Sequence, residues 1–224
     1  MKNVLSTLAL ATALAAPGFA HAAVRWPPVA VNLGIGTEGI GAGISTQLVP
    51  HTLNLNVGFS RFGHNFSFTA DNARFGSHLR LGAVPVVLAW YPFHGNFSLD
   101  AGVFINQNQV TATATPDAGG VYTINGDRYT AAQVGTLSGR THFNGVAPYV
   151  GVGWGNPFAG GRWTFLANAG AMYEGNPQVR LAATGAASNP RLAADVAAAQ
   201  QSVNSKLNFL NWWPVVTVGV AYRF

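Results

Sequence analysis

The sequence predicts an all-β protein: an eight-stranded, antiparallel, up-and-down transmembrane β-barrel behind an amino-terminal signal peptide, with one short α-helix in its last external loop. Three observations predict it. Charged residues make up 8% of the chain, against roughly 25% in soluble domains. The first residues read as an export signal, Lys2 followed by an Ala/Leu-rich run from Val4 to Ala16 and the small-x-small site Ala20-His21-Ala22, yet no later stretch approaches the roughly 20 apolar residues of a spanning helix. A membrane protein without such helices crosses as a closed sheet. Third, Val215 to Phe224 alternates Val216, Val218, Val220, Tyr222 and Phe224 against mostly small or polar residues, a strand with one apolar face and an aromatic end.

The expected domains are residues 1–22, the signal peptide, and 23–224, the barrel. Val29, Val31, Leu33 and Ile35 alternate with Ala30, Asn32, Gly34 and Gly36, and beyond Thr37-Glu38 the alternation resumes to Leu48, a hairpin. After Pro50-His51, Leu53, Leu55, Val57 and Phe59 oppose Asn54, Asn56, Gly58 and Ser60, and the strand continues to about Thr69. A loop at Asp71-Asn72-Ala73 precedes a weaker pattern. There Leu79, Leu81, Ala83, Pro85, Val87, Ala89 and Tyr91 oppose His78, Arg80, Gly82, Val84, Val86, Leu88 and Trp90, with the second set read as inward, and Pro85 requires a bulge or a lost ladder bond.

Phe97 to Asn106 is the fifth strand, and Thr115 to His142 a long polar segment in which Asn125-Gly126 signals a type I′ hairpin. That hairpin is either an extra membrane pair, which makes ten strands, or an external one; Arg128 interrupts its short apolar alternation, so the expectation places it outside. Val146 to Trp154 and Trp163 to Tyr173 follow. Asn189 reads as an N-cap with Pro190 at the first helical position, and Leu192, Val196, Ala199, Val203 and Leu207 fall at helical spacing over 190–206. Short connections (Pro50-His51, Pro92 to Asn96, Asn156 to Gly161) fall at the end holding both termini, and longer ones at the other, as in outer-membrane barrels. Tyr91, Trp154, Trp163, Tyr222 and Phe224 collect at the former rim.

Composition excludes several function classes. The chain has no cysteine, which removes disulfides and thiol chemistry. Beyond the signal, eleven Lys and Arg (twelve less Lys2) face seven Asp and Glu, a formal balance of +4 without a basic cluster; this suits anionic lipid headgroups and not nucleic acid. His51, His64, His78, His94 and His142 show no paired metal-ligand spacing. A hydrolytic set of His64, Ser67 and Asp71 is disfavoured because His64 and Ser67 differ by an odd number and point to opposite faces. No metal, cofactor or catalytic residue is expected. Four charges, Arg80, Asp100, Glu174 and Arg223, are assigned to the lumen as structural ion pairs or a selectivity constriction. The inward glycines either make room for Trp90, Phe104, Tyr149 and Met172 or open a cavity.

The closing strand resembles the terminal strand of bacterial outer-membrane β-barrels, which implies that Tyr222 and Phe224 form the signal read by the barrel-assembly machinery. The stretch from Tyr122 to Gly139 (YTINGDRYTAAQVGTLSG), with Phe143 to Gly155, Ala187 to Pro190 and Pro214 to Val216, resembles a family of small proteobacterial outer-membrane β-barrel proteins to which no activity is attached. The resemblance implies fold and location and transfers no functional residue. The expected protein is a monomer of the bacterial outer membrane, exported through a cleaved signal. Its partners are outer-membrane lipids and lipopolysaccharide, whose phosphates Arg61, Arg74, Arg128 and Arg140 could meet, and the assembly machinery during biogenesis. Its role is non-enzymatic, structural or in surface interaction. The alternatives are a narrow channel or carrier for a small hydrophobic or ionic solute and, behind that, a lipid-modifying enzyme.

Overall fold

The computed structural model describes residues 27–70, 73–116, 120–207 and 211–224; the expected signal peptide lies outside them. Thirteen strands run in the order β1 (Val29–Gly36), β2 (Gly39–Val49), β3 (Leu53–Ala70), β4 (Ala73–Trp90), β5 (Phe97–Asn106), β6 (Gln109–Pro116), β7 (Val121–Ile124), β8 (Asp127–Thr130), then helix α1 (Ala131–Val134), β9 (Leu137–His142), β10 (Val146–Trp154), β11 (Trp163–Tyr173), β12 (Gln178–Ala183), helix α2 (Pro190–Leu207) and β13 (Trp212–Arg223). The expected total of eight strands is therefore corrected. Eight of them nonetheless pair antiparallel in a cycle: β1–β2–β3–β4–β5–β10–β11–β13 and back to β1.

The additional strands are the expected β7–β8 hairpin and three strands, β6, β9 and β12, outside the eight expected ones. β4 pairs with β5 along Ala83–Trp90 and with β6 along Ala73–Arg80. β6 pairs with β9, and β9 with β12. Thus β6, β9 and β12 resume above β5, β10 and β11 after breaks at Gln107–Asn108, Phe143–Gly145 and Glu174–Pro177, so five strands continue the ring's wall while β1, β2 and β13 stop at its mouth. Polar residues at the breaks hid this continuation. The β7–β8 hairpin forms a separate two-stranded sheet, and positive φ at both Asn125 and Gly126 gives the expected type I′ turn.

A second core lies above the ring, where Tyr122, Ile124, Tyr129, Val134, Leu192 and Val196 pack on Ala114, Leu137 and Ala183 of the wall. Helix α2 starts as expected, with the Leu192 amide donating to Asn189 Oδ1 at 3.2 Å. Its Gln200 accepts from the Leu181 amide at 3.0 Å, and Asn204 both accepts from the Val179 amide at 2.8 Å and donates to its carbonyl. The outermost strand β12 is thereby hydrogen-bonded on the side that no strand covers.

The face assignment of β4 is inverted. Ala83, Val87, Ala89 and Tyr91 are buried and Leu88 and Trp90 exposed, so Trp90 faces out and the first set lines the lumen. Both sets are apolar here, so alternation could not tell inside from outside. Pro85 costs ladder bonds rather than register: β3–β4 pairing passes from Val57↔Val86 to Ser60↔Ala83 with no shift. Outside the ring, Leu33, Ile35, Ile40, Phe59, Val150 and Phe165 are all more than half exposed. At the terminal rim Trp163 stacks on Tyr222 and Tyr222 on Phe224, edge-on at 4.9 and 5.1 Å.

Closing so small a ring forces strands together. A Cβ on Gly102 would fall well inside contact distance of the Val86 carbonyl oxygen, and one on Gly219 would meet that of Leu33 in the same way. Gly102→Val should therefore lower refolding yield or reduce stability by about 2 kcal/mol or more, while Gly160→Ala, at an open turn position, should not. Heat-modifiable electrophoretic mobility and urea midpoints of the refolded proteins measure this.

Candidate functional site

Inward residues of the ring divide by size. Phe104, Tyr149 and Met172 pack with Ala83, Val87, Ala147 and Val215, the two rings lying 5.0 Å apart. Opposite them, Gly34, Gly41, Gly43 and Gly58 alternate with Asn32, Asn56 and Ser60. The difference in volume leaves a cavity of about 200 Å³ that runs from Glu38 in the β1–β2 turn to Tyr91, Gly155 and Pro157 at the terminal end. The glycines thus do both things expected of them, except that Trp90 is not among the side chains accommodated.

Hydrogen bonds hold the polar wall. Asn32 donates to Ser45 Oγ at 2.8 Å, the Ser45 hydroxyl donates to Asn56, and Asn168 donates to Thr217 Oγ1 at 3.2 Å. Ser98 donates to Asp100 Oδ1 at 2.7 Å. Glu38 and Asp100 line the cavity, and its lining includes no Lys, Arg or His.

Hydrogen-bonded groups narrow both ends. At the terminal end the buried turn Gly155–Phe158 folds inward; Tyr91 donates to the Gly155 carbonyl at 3.1 Å and Asn54 to Asn156 Oδ1 at 3.2 Å. At the mouth, Asn106 and Asn108 each donate to Glu174 Oε1 at 2.7 Å, and Asn108 Oδ1 accepts from the Gly82 amide at 3.0 Å. Glu174 therefore ties the break between β5 and β6 to the break between β11 and β12. Burial pushes its carboxyl upward in pKa, and the two amides draw it back.

Glu38 is buried, and neither carboxylate oxygen has a hydrogen-bond partner among the described residues. Burial first, then repulsion from Glu174, raises its pKa to about 7; the nearby Asn108 amide works the other way.

The four expected lumen charges separate. Asp100 is in the lumen and Glu174 at its mouth. Arg80 is exposed on the outer wall, because β4 presents the opposite face, and Arg223 sits at the terminal rim, donating to the Phe158 and Gly160 carbonyls at 3.2 and 2.8 Å. They form no ion pairs with one another; among the described residues the ion pair present is Arg191–Asp127, at the surface above the ring. A hydroxyl meets Asp100, two amides meet Glu174 and two carbonyls meet Arg223 instead. Tyr91, expected at the aromatic rim, is buried inside. His64 and Ser67 stand on opposite faces of β3, their ladder partners being Leu79 and Gly76, and Asp71 lies outside the described residues. No group of three metal-ligating residues occurs among those described. Sequence reasoning missed Glu38, whose signal was an acid in a two-residue turn, and the Asn106/Asn108 pair, whose signal was two amides flanking a strand break.

The closed ring and filled lumen define a small antiparallel β-barrel. Two solved structures share the fold: the crystal structure of Acinetobacter baumannii CarO2, with a TM-score of 0.58 and 22% identity over 89% of this chain and 100% of that one, and that of Acinetobacter baumannii CarO, with a TM-score of 0.56 and 20% identity over 88% and 98%. At these identities the likeness is one of fold. No family model and no curated protein matches the chain.

Replacing Glu174 by Ala leaves the Asn106 and Asn108 amides buried without a partner and should cost on the order of 2–3 kcal/mol in urea unfolding; Glu174→Gln, which keeps one acceptor, should cost less. Glu38 gives a pH dependence. Its folded-state pKa lies above the ordinary 4.5, so its stability contribution is complete below about pH 4.5 and is lost as pH rises through about 7. The urea midpoint of the folded barrel should fall between pH 5 and pH 8, and Glu38→Gln should flatten that part of the curve.

Proposed function

We propose that this chain is a β-barrel of the Gram-negative outer membrane. In this reading the eight paired strands span the bilayer with the termini on the periplasmic side, the continued wall stands outside, and the lumen is a narrow passage for small cations in its closed state. The spanning reading draws on the exposed apolar residues around the ring, on ring strands close to the 9–11 residues that cross a bilayer at a tilt, and on the aromatic terminal rim. Tyr222 and Phe224 then form the end read by the assembly machinery.

The observation that carries the lumen reading is its charge. Glu38 and Asp100 face the cavity with no cationic side chain beside them, so the field inside favours cations and repels anions. An eight-stranded barrel leaves room for little beyond its own side chains. Passage therefore requires the Gly155–Phe158 turn to move, and the role is non-enzymatic. A second reading, surface interaction by a non-conducting barrel, draws on the compact lobe around α2, whose core is separate from the lumen.

Refolded protein in planar bilayers under a potassium chloride gradient should show brief, small, cation-selective openings. Asp100→Asn should move the reversal potential toward zero, and Tyr91→Phe, which frees the Gly155 carbonyl, should raise the open fraction. A folded but silent protein, in the wild type and in Tyr91→Phe alike, would leave the surface-interaction reading.

A further inference from the structure

The outward face of the continued wall is basic, and its arrangement is specific. Along β3 the outward residues change from Val57 and Phe59 to Arg61, and along β4 from Leu88, Val86 and Val84 to Gly82 and Arg80. One step along either strand's outward row, two residues or about 7 Å, takes the surface from apolar to polar. Above that step stand five arginines, Arg61, Arg74, Arg80, Arg140 and Arg180, with His78 and His142 among them, all exposed. The same face holds no Asp or Glu among the described residues.

Pairing aligns part of this set in one row. Asn65 lies opposite His78, His78 opposite Thr111, Thr111 opposite Arg140, and Arg140 opposite Arg180. Directly opposed like charges on neighbouring strands destabilise a sheet, and here nothing offsets them: Arg140 and Arg180 have no carboxylate or other hydrogen-bond partner among the described residues, whereas Arg74 donates to Ser67 at 3.2 Å. Two guanidinium forks about one strand spacing apart, flanked by a hydroxyl and an imidazole, suit a phosphate monoester or diester group.

We propose that the Thr111–Arg140–Arg180 row, with His78 beside it, binds the phosphate of a membrane lipid headgroup in the leaflet that surrounds the outer half of the barrel. The occupant is a lipid rather than a soluble anion because the row stands on the outward face that carries the ring's apolar residues lower down. Asn65 and His78 lie six residues beyond Phe59 and Val84 on their strands, with Arg61 and Arg80 between, so a lipid whose acyl chains lie against the ring presents its headgroup to this basic face. This rests on the membrane-spanning reading above. It also revises the sequence expectation: Arg61, Arg74 and Arg140 share the face, whereas Arg128 belongs to the separate β7–β8 hairpin, and Arg80 and Arg180 join the set.

The test uses folded protein in neutral detergent micelles, titrated with bisphosphorylated lipid A and with the same lipid dephosphorylated, the retained lipid being measured after gel filtration. The phosphorylated lipid should be retained, more weakly as salt rises, and Arg140→Ala/Arg180→Ala should lower its apparent affinity about tenfold or more. Arg128→Ala should not, and Arg140→Lys/Arg180→Lys should restore part of the loss. Folding of each variant is checked by heat-modifiable mobility. Equal retention of the two lipids, or unchanged affinity in the double Ala variant, would overturn the proposal. So would displacement by inorganic phosphate at the lipid's own concentration, which would make the row a site for soluble anions. Protease protection after insertion into vesicles reads the spanning claim separately, so its failure is distinguishable from failure of the arginine row.

Discussion

One carboxylate, Glu174, accepts two amide donors at 2.7 Å at the level where three strands of the ring break and resume. A strand break releases backbone groups and permits the wall above to drift from the wall below. Here Asn106 and Asn108 come from one break, Glu174 from another, and the Gly82 amide anchors Asn108 to uninterrupted β4. A buried charge with satisfied hydrogen bonds fixes geometry more tightly than an apolar contact of the same size, because misplacement leaves donors unpaired in a region of low dielectric. That brace adds to the unbroken β3 and β4 in holding the continued wall over the ring.

The molecule separates charge by side. In the ring and the wall above it, the described carboxylates Glu38, Asp100 and Glu174 lie within the lumen or at its mouth, and the arginines stand on the outer wall or at the terminal rim. Interior acids are met by neutral donors, a serine hydroxyl at Asp100 and two asparagines at Glu174, while Glu38 has none. Because no cation among the described residues lines the cavity, the lumen keeps a net negative field; because no described acid stands on the outer wall, none there offsets its arginines. A pairing of Arg80 with Asp100 would have erased both.

Much of this was legible in the chain. The hairpins, the type I′ turn at Asn125-Gly126, the cap at Asn189 and the aromatic closing strand each depend on local chemistry that a short window contains. Legibility failed where period and polarity stopped agreeing. In β4 both faces are apolar, so alternation marked a strand but not its inside, and Arg80 and Trp90 were assigned to the wrong face. At Gln107–Asn108 and Glu174–Pro177 polar residues resembled loop ends, yet their side chains hydrogen-bond across the mouth and the strands resume. The place of Glu38 in a two-residue turn was readable, but its burial was not, since that depends on the strands around the turn.

Gln200 and Asn204 of α2 occupy the backbone groups of Val179 and Leu181 that would otherwise greet another strand. Two side chains one helical turn apart do the work of an adjoining chain, and they are covalently part of the same polypeptide, so a neighbouring molecule cannot outcompete them on local concentration. A second copy arriving at the β12 edge finds the register there already taken. The lobe's helix thus closes the β12 edge of the continued wall to strand addition.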